Sequence, residues 1–383
     1  MAVMRECAVV GVGLHKFGRF PEIPIDEMGR DALLAALDDA GMEFRDIEIA
    51  YCGHFASGNA YTVIGRVGLT GIPIMNVENA CASSSTAFRQ AYWAVATGLY
   101  DVALAMGFEK MRRGVGGRMP QLGPRGYGSE GVSYEALMGT GAPPAAYAMA
   151  ARKHMKEYGS TIEQFAQVSV KDHRNGALNP NAQYQQTTTL EEVLNSRMIC
   201  DPVTLYMCAP TSDGASAAII CTKKKARQYT GKPITVAGWA TGTPAYSPMG
   251  DWGDLAPNLS EKLSRQAYER AGVGPEDIDV LQIHDPFSPA EVLILESLGF
   301  CPKGEGGRWV WEGKTEITGE IPTNTDGGLV ARGHPMGATG IAQIIEVVRQ
   351  LRGEAGPRQV TDAKVGMCHN VGAGFCNIHI FKR

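Results

Sequence analysis

Short apolar runs containing glycine alternate along the chain with longer stretches of helical periodicity. "AVVGVG", residues 8–13, and "ITVAGWA", residues 234–240, are strand-like. The amphipathic patterns "DEMGRDALLAALDDAG", residues 26–41, and "LSEKLSRQAYERAG", residues 259–272, predict helices behind them. The blocks that follow, "AGMEFRDIEIAYCGH" at 40–54 and "AGVGPEDIDVLQIHD" at 271–285, align without gaps at an offset of 231. Asp46 then falls on Asp277, Ile47 on Ile278 and Glu48 on Asp279. Each half continues as turn, helix and strand. The chain therefore reads as two homologous α/β halves, with sheets covered by helices on both faces.

Between the halves lies an insertion, about residues 111–230, which opens on the glycine-rich "RRGVGGRMPQLGPRGYG". It is too long for a simple connection, and loops of that length usually form lids or binding surfaces. The expected division is 1–110 for the first part of the N-terminal half, 111–230 for a loop domain that returns to that half, and 231–383 for the C-terminal half.

Composition narrows the class. The 383 residues are 44% hydrophobic and 20% charged, ordinary globular values with length for a large core. A formal charge of -4 argues against a nucleic-acid partner. The nine cysteines contain no CxxC pair, so neither zinc-ribbon spacing nor a secreted disulfide framework is expected, and a reducing cytoplasm is. "MRECAVVGVGLHKFG" is too short to span a membrane and has no signal-peptide cleavage pattern, so no membrane association is expected.

Candidate chemistry begins at "NVENACASSS", residues 76–85, where Cys81 stands between the strand-like "GIPIMNV" and the helix-like "TAFRQAYWAVATGL". A thiol of ordinary pKa near ~8.5 needs a helix N-terminus or a nearby base to be nucleophilic. Cys81 has the first device, since the helix beginning near Ser84 points its unpaired N–H groups at the turn. His334 in "GGLVARGHPMGATG", residues 327–340, offers the second, in glycines that permit close backbone approach. "QIHDPF", residues 282–287, places His284 and Asp285 at a strand end. "CHNVGAGF", residues 368–375, adds Asn370 and a turn whose backbone N–H groups suit an oxyanion.

Together, "NACASSS", "HDPF", "GGLVARGHPMGATG" and "HNVGAG" resemble the thiolase superfamily, in that order over nearly the whole chain. The resemblance is strongest to the sterol-carrier-protein-type and archaeal-like branch. It implies a duplicated five-layer α/β/α/β/α fold with an inserted loop domain over coenzyme A. It also implies Cys81 as acyl nucleophile, His334 as its base, and no permanently bound cofactor or metal. The amides of Cys81 and Gly372 would form one oxyanion hole, and His334 with His284 a second one for an enolate. Met138, in a segment resembling the pocket motif with Leu137 where a histidine is common, Ser247 and Gly337 are the candidates for substrate and coenzyme A contact.

Two positions depart from the pattern. Asn370 stands where ordinary thiolases carry a second cysteine, and Pro286 where the sterol-carrier branch usually has one; neither exchanges a proton. His54, beside the repeat partner of His284, is the first substitute for that acid/base, ahead of Cys368, His369 and Cys376. The expected reaction is cleavage or formation of a 3-oxoacyl-CoA. Trp239, Tyr246, Trp252, Trp309 and Trp311 suggest a bulky or aromatic acyl chain such as that of benzoylsuccinyl-CoA. The alternatives are a ketosynthase-like Cys-His-His condensing enzyme and a non-catalytic subunit of an acyl-CoA lyase complex. By the same resemblance the partners are acyl-CoA and CoA, a second copy in a homodimer or dimer of dimers, and a small zinc-ribbon and OB-fold protein.

Overall fold

Helix α1 (Ile25–Ala40) forms because Ala32, Leu33, Ala36, Leu37 and Ala40 share one face and are buried there. Asp26 and Glu27 occupy its first turn, where the helix dipole favours acids, and Gly41 ends it at a φ of 64°. The strands beside it show a different logic. Along β4 (Val102–Lys110), Val102, Leu104 and Met106 face α1 while Ala103 and Ala105 face the opposite layer. Both faces are buried, which is why these strands read as unbroken apolar runs.

The computed structural model describes residues 4–111, 143–229, 232–245, 257–372 and 374–383. The remaining elements before the insertion are β1 (Cys7–Gly18), β2 (Ile49–Gly53), α2 (Ala60–Gly65), β3 (Ile74–Val77) and α3 (Ser83–Ala96). There follow α4 (Pro143–Tyr158), α5 (Ile162–Ala177), α6 (Leu190–Asn195), β5 (Met198–Cys200), β6 (Val203–Thr204), β7 (Asp213–Thr222) and α7 (Lys223–Ala226). The last part runs β8 (Ile234–Gly242), α8 (Pro257–Ala271), β9 (Val280–Gln282), α9 (Pro289–Ser297), α10 (Gly306–Trp311), α11 (Thr339–Arg352), β10 (Val365–Gly372) and β11 (Phe375–Lys382).

The sheet order is β3-β2-β4-β7-β1-β8-β11-β10-β9, and apart from the edge strand β3, which has no counterpart among the described residues, it is a palindrome of the repeat. Parallel pairing of β2 with β4 is matched by β9 with β10, and the antiparallel pairs that follow toward the centre match too. The two halves join through β1 and β8, at Ala8 with Thr235 and Val9 with Ile234. The 231-residue offset reappears in three dimensions: the 3-10 turns Phe44–Asp46 and Pro275–Asp277 are equivalent, as are the starts of β2 and β9.

Five layers result, as the sequence leads one to expect. Phe88, Ala91 and Val95 of α3 and Ile341, Ile344 and Val348 of α11 form one buried cluster with strands of both halves. Outside lie α1 on the first half and α8 on the second, the latter packing Leu263 and Ala267 against Ile378 and Ile380. The two central helices begin almost in contact. The Ser84 hydroxyl accepts the Ile341 N–H at 3.1 Å, and a Cβ on Gly340 would lie 2.6 Å from the Ser85 nitrogen. Among the described residues no helix is long and apolar enough to cross a membrane.

Gly340→Ala therefore overpacks the helix crossing and is expected to cost about 1–3 kcal/mol in urea unfolding. A loss below about 0.5 kcal/mol would show that the two helix starts have room to part.

Candidate active site

Cys81 sits in a 3-10 turn, Ala80–Ala82, that leads directly into α3. Ala80 has a φ of 48°, a conformation that costs a non-glycine residue about 1–3 kcal/mol and persists only where neighbours enforce it. Here the Ser83 hydroxyl donates to the Ala80 carbonyl at 2.6 Å and accepts the Asn79 N–H at 2.9 Å. Gly372, at the end of β10, closes the turn from the other half: a Cβ there would lie 2.6 Å from the Cys81 nitrogen and 2.3 Å from that of Ala82. Only glycine fits so near these amides.

His334 follows a π-helical turn, Gly328–Arg332, and Gly333 at a φ of 108°. Its Nε2 lies 3.3 Å from Cys81 Sγ and its Nδ1 lies 2.7 Å from Thr339 Oγ1. The Thr339 hydroxyl donates to the Pro335 carbonyl at 3.0 Å, so toward the ring it accepts. That places the imidazole hydrogen on Nδ1 and turns the Nε2 lone pair to the thiol. Burial, with Arg332 adding to it, pushes the His334 pKa down to about 3, so the ring is neutral and able to take a proton.

His284 completes the group, its ring centroid 5.2 Å from that of His334 at 77°. Its Nδ1 is 3.1 Å from Asn370 Nδ2. Burial first, then His334, His369 and Arg332, hold His284 well below the usual histidine range. Cys81, His284 and His334 have donor atoms within 4.8 Å of one another, a set that would also suit a metal. Asp172, Asp285 and Glu291 form a second such cluster, but Lys171 Nζ already supplies positive charge there, 2.5 Å from Glu291 and 3.4 Å from Asp172. Asp285 accepts the Leu329 N–H at 2.8 Å, which ties this ionic cluster to the turn carrying His334.

The three residues line a cavity of about 1140 Å³. Its opposite wall comes from the insertion and includes His173, Tyr184 and Tyr206, with Lys16 and Arg19 supplying positive charge. Pro286 and Phe287 also reach it, and so does Cys208, a residue the sequence analysis passed over. Cys208 pairs with Phe287 in an isolated antiparallel bridge, and the Ala209 N–H donates to the Pro286 carbonyl at 2.8 Å. No motif surrounds it. Only the fold carries the residue to the side of Pro286, and its thiol donates to the Thr204 carbonyl at 3.2 Å.

The other sequence candidates go elsewhere. His54 stacks on Phe108 at 5.2 Å with Nε2 2.9 Å from Asn76 Oδ1, and it does not line the cavity. Gly337 packs against the backbone of Phe108 and His54, behind the cavity wall that Met336 provides. His369 points away, its Nε2 2.9 Å from Ser260 of α8, and Cys376 is buried in that same outer layer. Cys368 is buried in the central layer, where burial drives its pKa far up. Trp239 lies under Arg270, Trp309 beside Lys314, and Trp311 is half exposed; the cavity's aromatic rings are Tyr184, Tyr206 and Phe287 instead. Leu137, Met138, Tyr246, Ser247 and Trp252 fall outside the described residues.

Residues 7–224 match the family model "Thiolase, N-terminal domain", and residues 241–381 match "Thiolase C-terminal domain-like". An acetyl-CoA acetyltransferase of Methanothermobacter thermautotrophicus is 44% identical, over 99% of this chain and all of its own. Sterol carrier protein 2 of Bos taurus is 37% identical over 96% of this chain and 70% of its own. The benzoylsuccinyl-CoA thiolase subunit BbsB of Thauera aromatica is 35% identical over 98% of this chain and 96% of its own. Among solved structures, an Ltp2-ChsH2(DUF35) aldolase superposes with a TM-score of 0.85 at 29% identity, covering 100% of this chain and 99% of that one.

A base that stays neutral down to about pH 3 has a signature. The rate of Cys81 acylation should show no inflection near the ordinary histidine value of ~6.5 between pH 5 and 8. His334→Ala should slow that step about 10²- to 10⁴-fold. An inflection at 6–7 that disappears in the variant would mean that His334 is protonated in the resting protein.

Proposed function

The chain belongs to the thiolase family and is an acyltransferase, and from that premise we propose that Cys81 carries the acyl group between a 3-oxoacyl-CoA and coenzyme A. The observation that carries the assignment is the 3.3 Å approach of a neutral, correctly tautomeric His334 to the Cys81 thiol. In cleavage, His334 takes the thiol proton and the thiolate adds to the 3-oxo carbon. The C2–C3 bond breaks with its electron pair moving to C2, leaving acyl-Cys81 and the enolate of the shorter thioester. Once the His334 proton has restored the acid that protonates the enolate, neutral His334 deprotonates coenzyme A, whose thiolate takes the acyl group, and that proton returns to the departing Cys81 sulfur. Condensation is the same path reversed.

Two sets of donors support the charged intermediates. The close approach of Gly372 to the Cys81 amide, 2.6 Å for a Cβ placed there, supports the amides of these two residues as donors to the tetrahedral oxyanion. His284 and the protonated His334 suit the enolate. The proton that C2 exchanges is assigned to Cys208, a cavity residue beside Pro286 whose thiol, pushed up to about 12 by burial, donates to the Thr204 carbonyl at 3.2 Å and has to turn from it to reach C2. A thiol of that strength remains protonated and serves as the acid in cleavage. Nothing places His54 within reach of the same carbon.

The cavity's aromatic rings and the resemblance to a benzoylsuccinyl-CoA thiolase subunit support a bulky or aromatic acyl chain. Lys16 and Arg19 support a phosphorylated substrate such as coenzyme A. Residues 111–230 are read as a loop domain over the site that returns to the N-terminal half through β7, between 1–110 and 231–383. A homodimer, or a dimer of dimers, is supported by the unpaired outer edge of β3, where Met75 is exposed. Likeness to an aldolase solved with a DUF35 protein supports an accessory subunit, read as zinc-ribbon and OB-fold. That none of the nine cysteines forms a disulfide supports the cytoplasm.

Peptide-mapped intact mass after mixing with a panel of 3-oxoacyl-CoA thioesters should show a shortened acyl adduct on Cys81, absent in Cys81→Ser. Cleavage without any adduct would instead favour aldol-type chemistry. Cys208→Ala should lower exchange of the thioester α-hydrogen in D₂O by about 10²-fold or more while Cys81 still acylates. Unchanged exchange would remove Cys208 from the mechanism.

A further inference from the structure

Asn370 occupies a position where a proton-exchanging side chain would be useful, and its amide cannot exchange one. Its surroundings give it a different task. The Ser85 hydroxyl lies 2.6 Å from Asn370 Oδ1 and 3.0 Å from the Ala82 carbonyl, with one hydrogen to give. Ser85 Oγ itself accepts from Asn377 Nδ2 at 2.9 Å, so its own hydrogen is left to give. The Asn370 NH₂ group then faces two acceptors, Gln343 Oε1 at 3.0 Å and His284 Nδ1 at 3.1 Å. Gln343 is oriented in turn, because its Nε2 donates to the His369 carbonyl at 3.2 Å. The His369 carbonyl can only accept, so it fixes Gln343, and through Gln343 Oε1 it fixes which end of the Asn370 amide is NH₂. All of these groups are buried.

We propose that Asn370 is a positioning residue that holds His284 in the tautomer with Nδ1 bare and the hydrogen on Nε2, making the ring a fixed hydrogen-bond donor to the substrate enolate and not a proton carrier. The inference rests on the acyl-transfer reading above, which requires an enolate at this place, and goes beyond it by assigning the donor atom and what sets it. The physical reason is simple. An N–H on Nδ1 would point at an amide N–H, so both the other neutral tautomer and the imidazolium lose a hydrogen bond and gain a repulsion. Burial and the neighbouring His334 act in the same direction. The clamp spans both halves, since Ser85 begins α3 while Gln343 lies in α11 and Asn370 in β10.

The test is ¹⁵N NMR of histidine-labelled protein, with His284 assigned among the eight histidines by comparison with His284→Gln. The expected spectrum shows Nδ1 as the bare ring nitrogen and Nε2 as the protonated one, unchanged from pH 5 to 8. Asn370→Asp presents an acceptor to Nδ1 and should reverse the two signals. Turnover of a 3-oxoacyl-CoA should then fall about 10²- to 10³-fold with KM changed less than about threefold. Acylation of Cys81 by a simple acyl-CoA, whose leaving group is a thiolate and not an enolate, should persist. A protonated Nδ1 in the unmodified protein, or full turnover in Asn370→Asp, would overturn the proposal. Should Asn370→Asp fail to fold, the wild-type spectrum still decides the tautomer, and Ser85→Ala tests the clamp from its other end. Failure of the acyl-transfer reading looks different: Cys81 would not acylate in the unmodified protein, whatever the state of His284.

Discussion

The close crossing of the two central helix starts is the constraint from which the site follows. Where Ser84 accepts the Ile341 N–H and Gly340 lies against Ser85, the segments just upstream of α3 and α11 are forced together. Cys81 precedes one helix by two residues and His334 precedes the other by five. Bulk at this crossing would separate them. The run of serines after Cys81 and the glycines around His334 are small for that reason as much as for any chemistry.

Around this contact the protein keeps its site neutral and ordered by burial and by hydrogen bonds of fixed direction. Thr339 sets the hydrogen of His334, and the amide chain through Asn370 faces His284. Charge is moved one shell away, to Lys171 with Asp172 and Glu291 and to Arg332 with Asp326. These ions are buried. They hold the π-helical turn from below, through Asp285 and the Leu329 N–H, so the cost of burying them is offset by partners within the cluster.

Much of this was legible in the sequence, for identifiable reasons. The repeat was readable because the end of the helix, the 3-10 turn and the start of the following strand keep the same spacing in both halves. Cys81, His334 and His284 were readable because each sits at an element boundary among residues chosen for turns. His54 was misplaced by a one-residue slip: the 231 offset puts it on Asp285, and one step along a strand end moves a side chain to the other face. Cys208, Tyr184 and Tyr206 belong to the insertion, where nothing in the local pattern says which side chains return to the site. The tryptophans illustrate the opposite error. Their size drew attention, yet Trp239 and Trp309 serve as platforms for Arg270 and Lys314.

The palindromic strand order bears on how such a site could have arisen. Cys81 and His334 come from equivalent turns, each ahead of the central helix of its repeat. Thiol and imidazole nonetheless stand at different distances ahead of their helices, two residues against five, so they are not one repeated position occupied twice. Each half brings one of the two groups to the seam, and neither half holds the pair alone. Repetition of the fold thus supplies the meeting point, and the unlike turns supply the two groups that face each other across it.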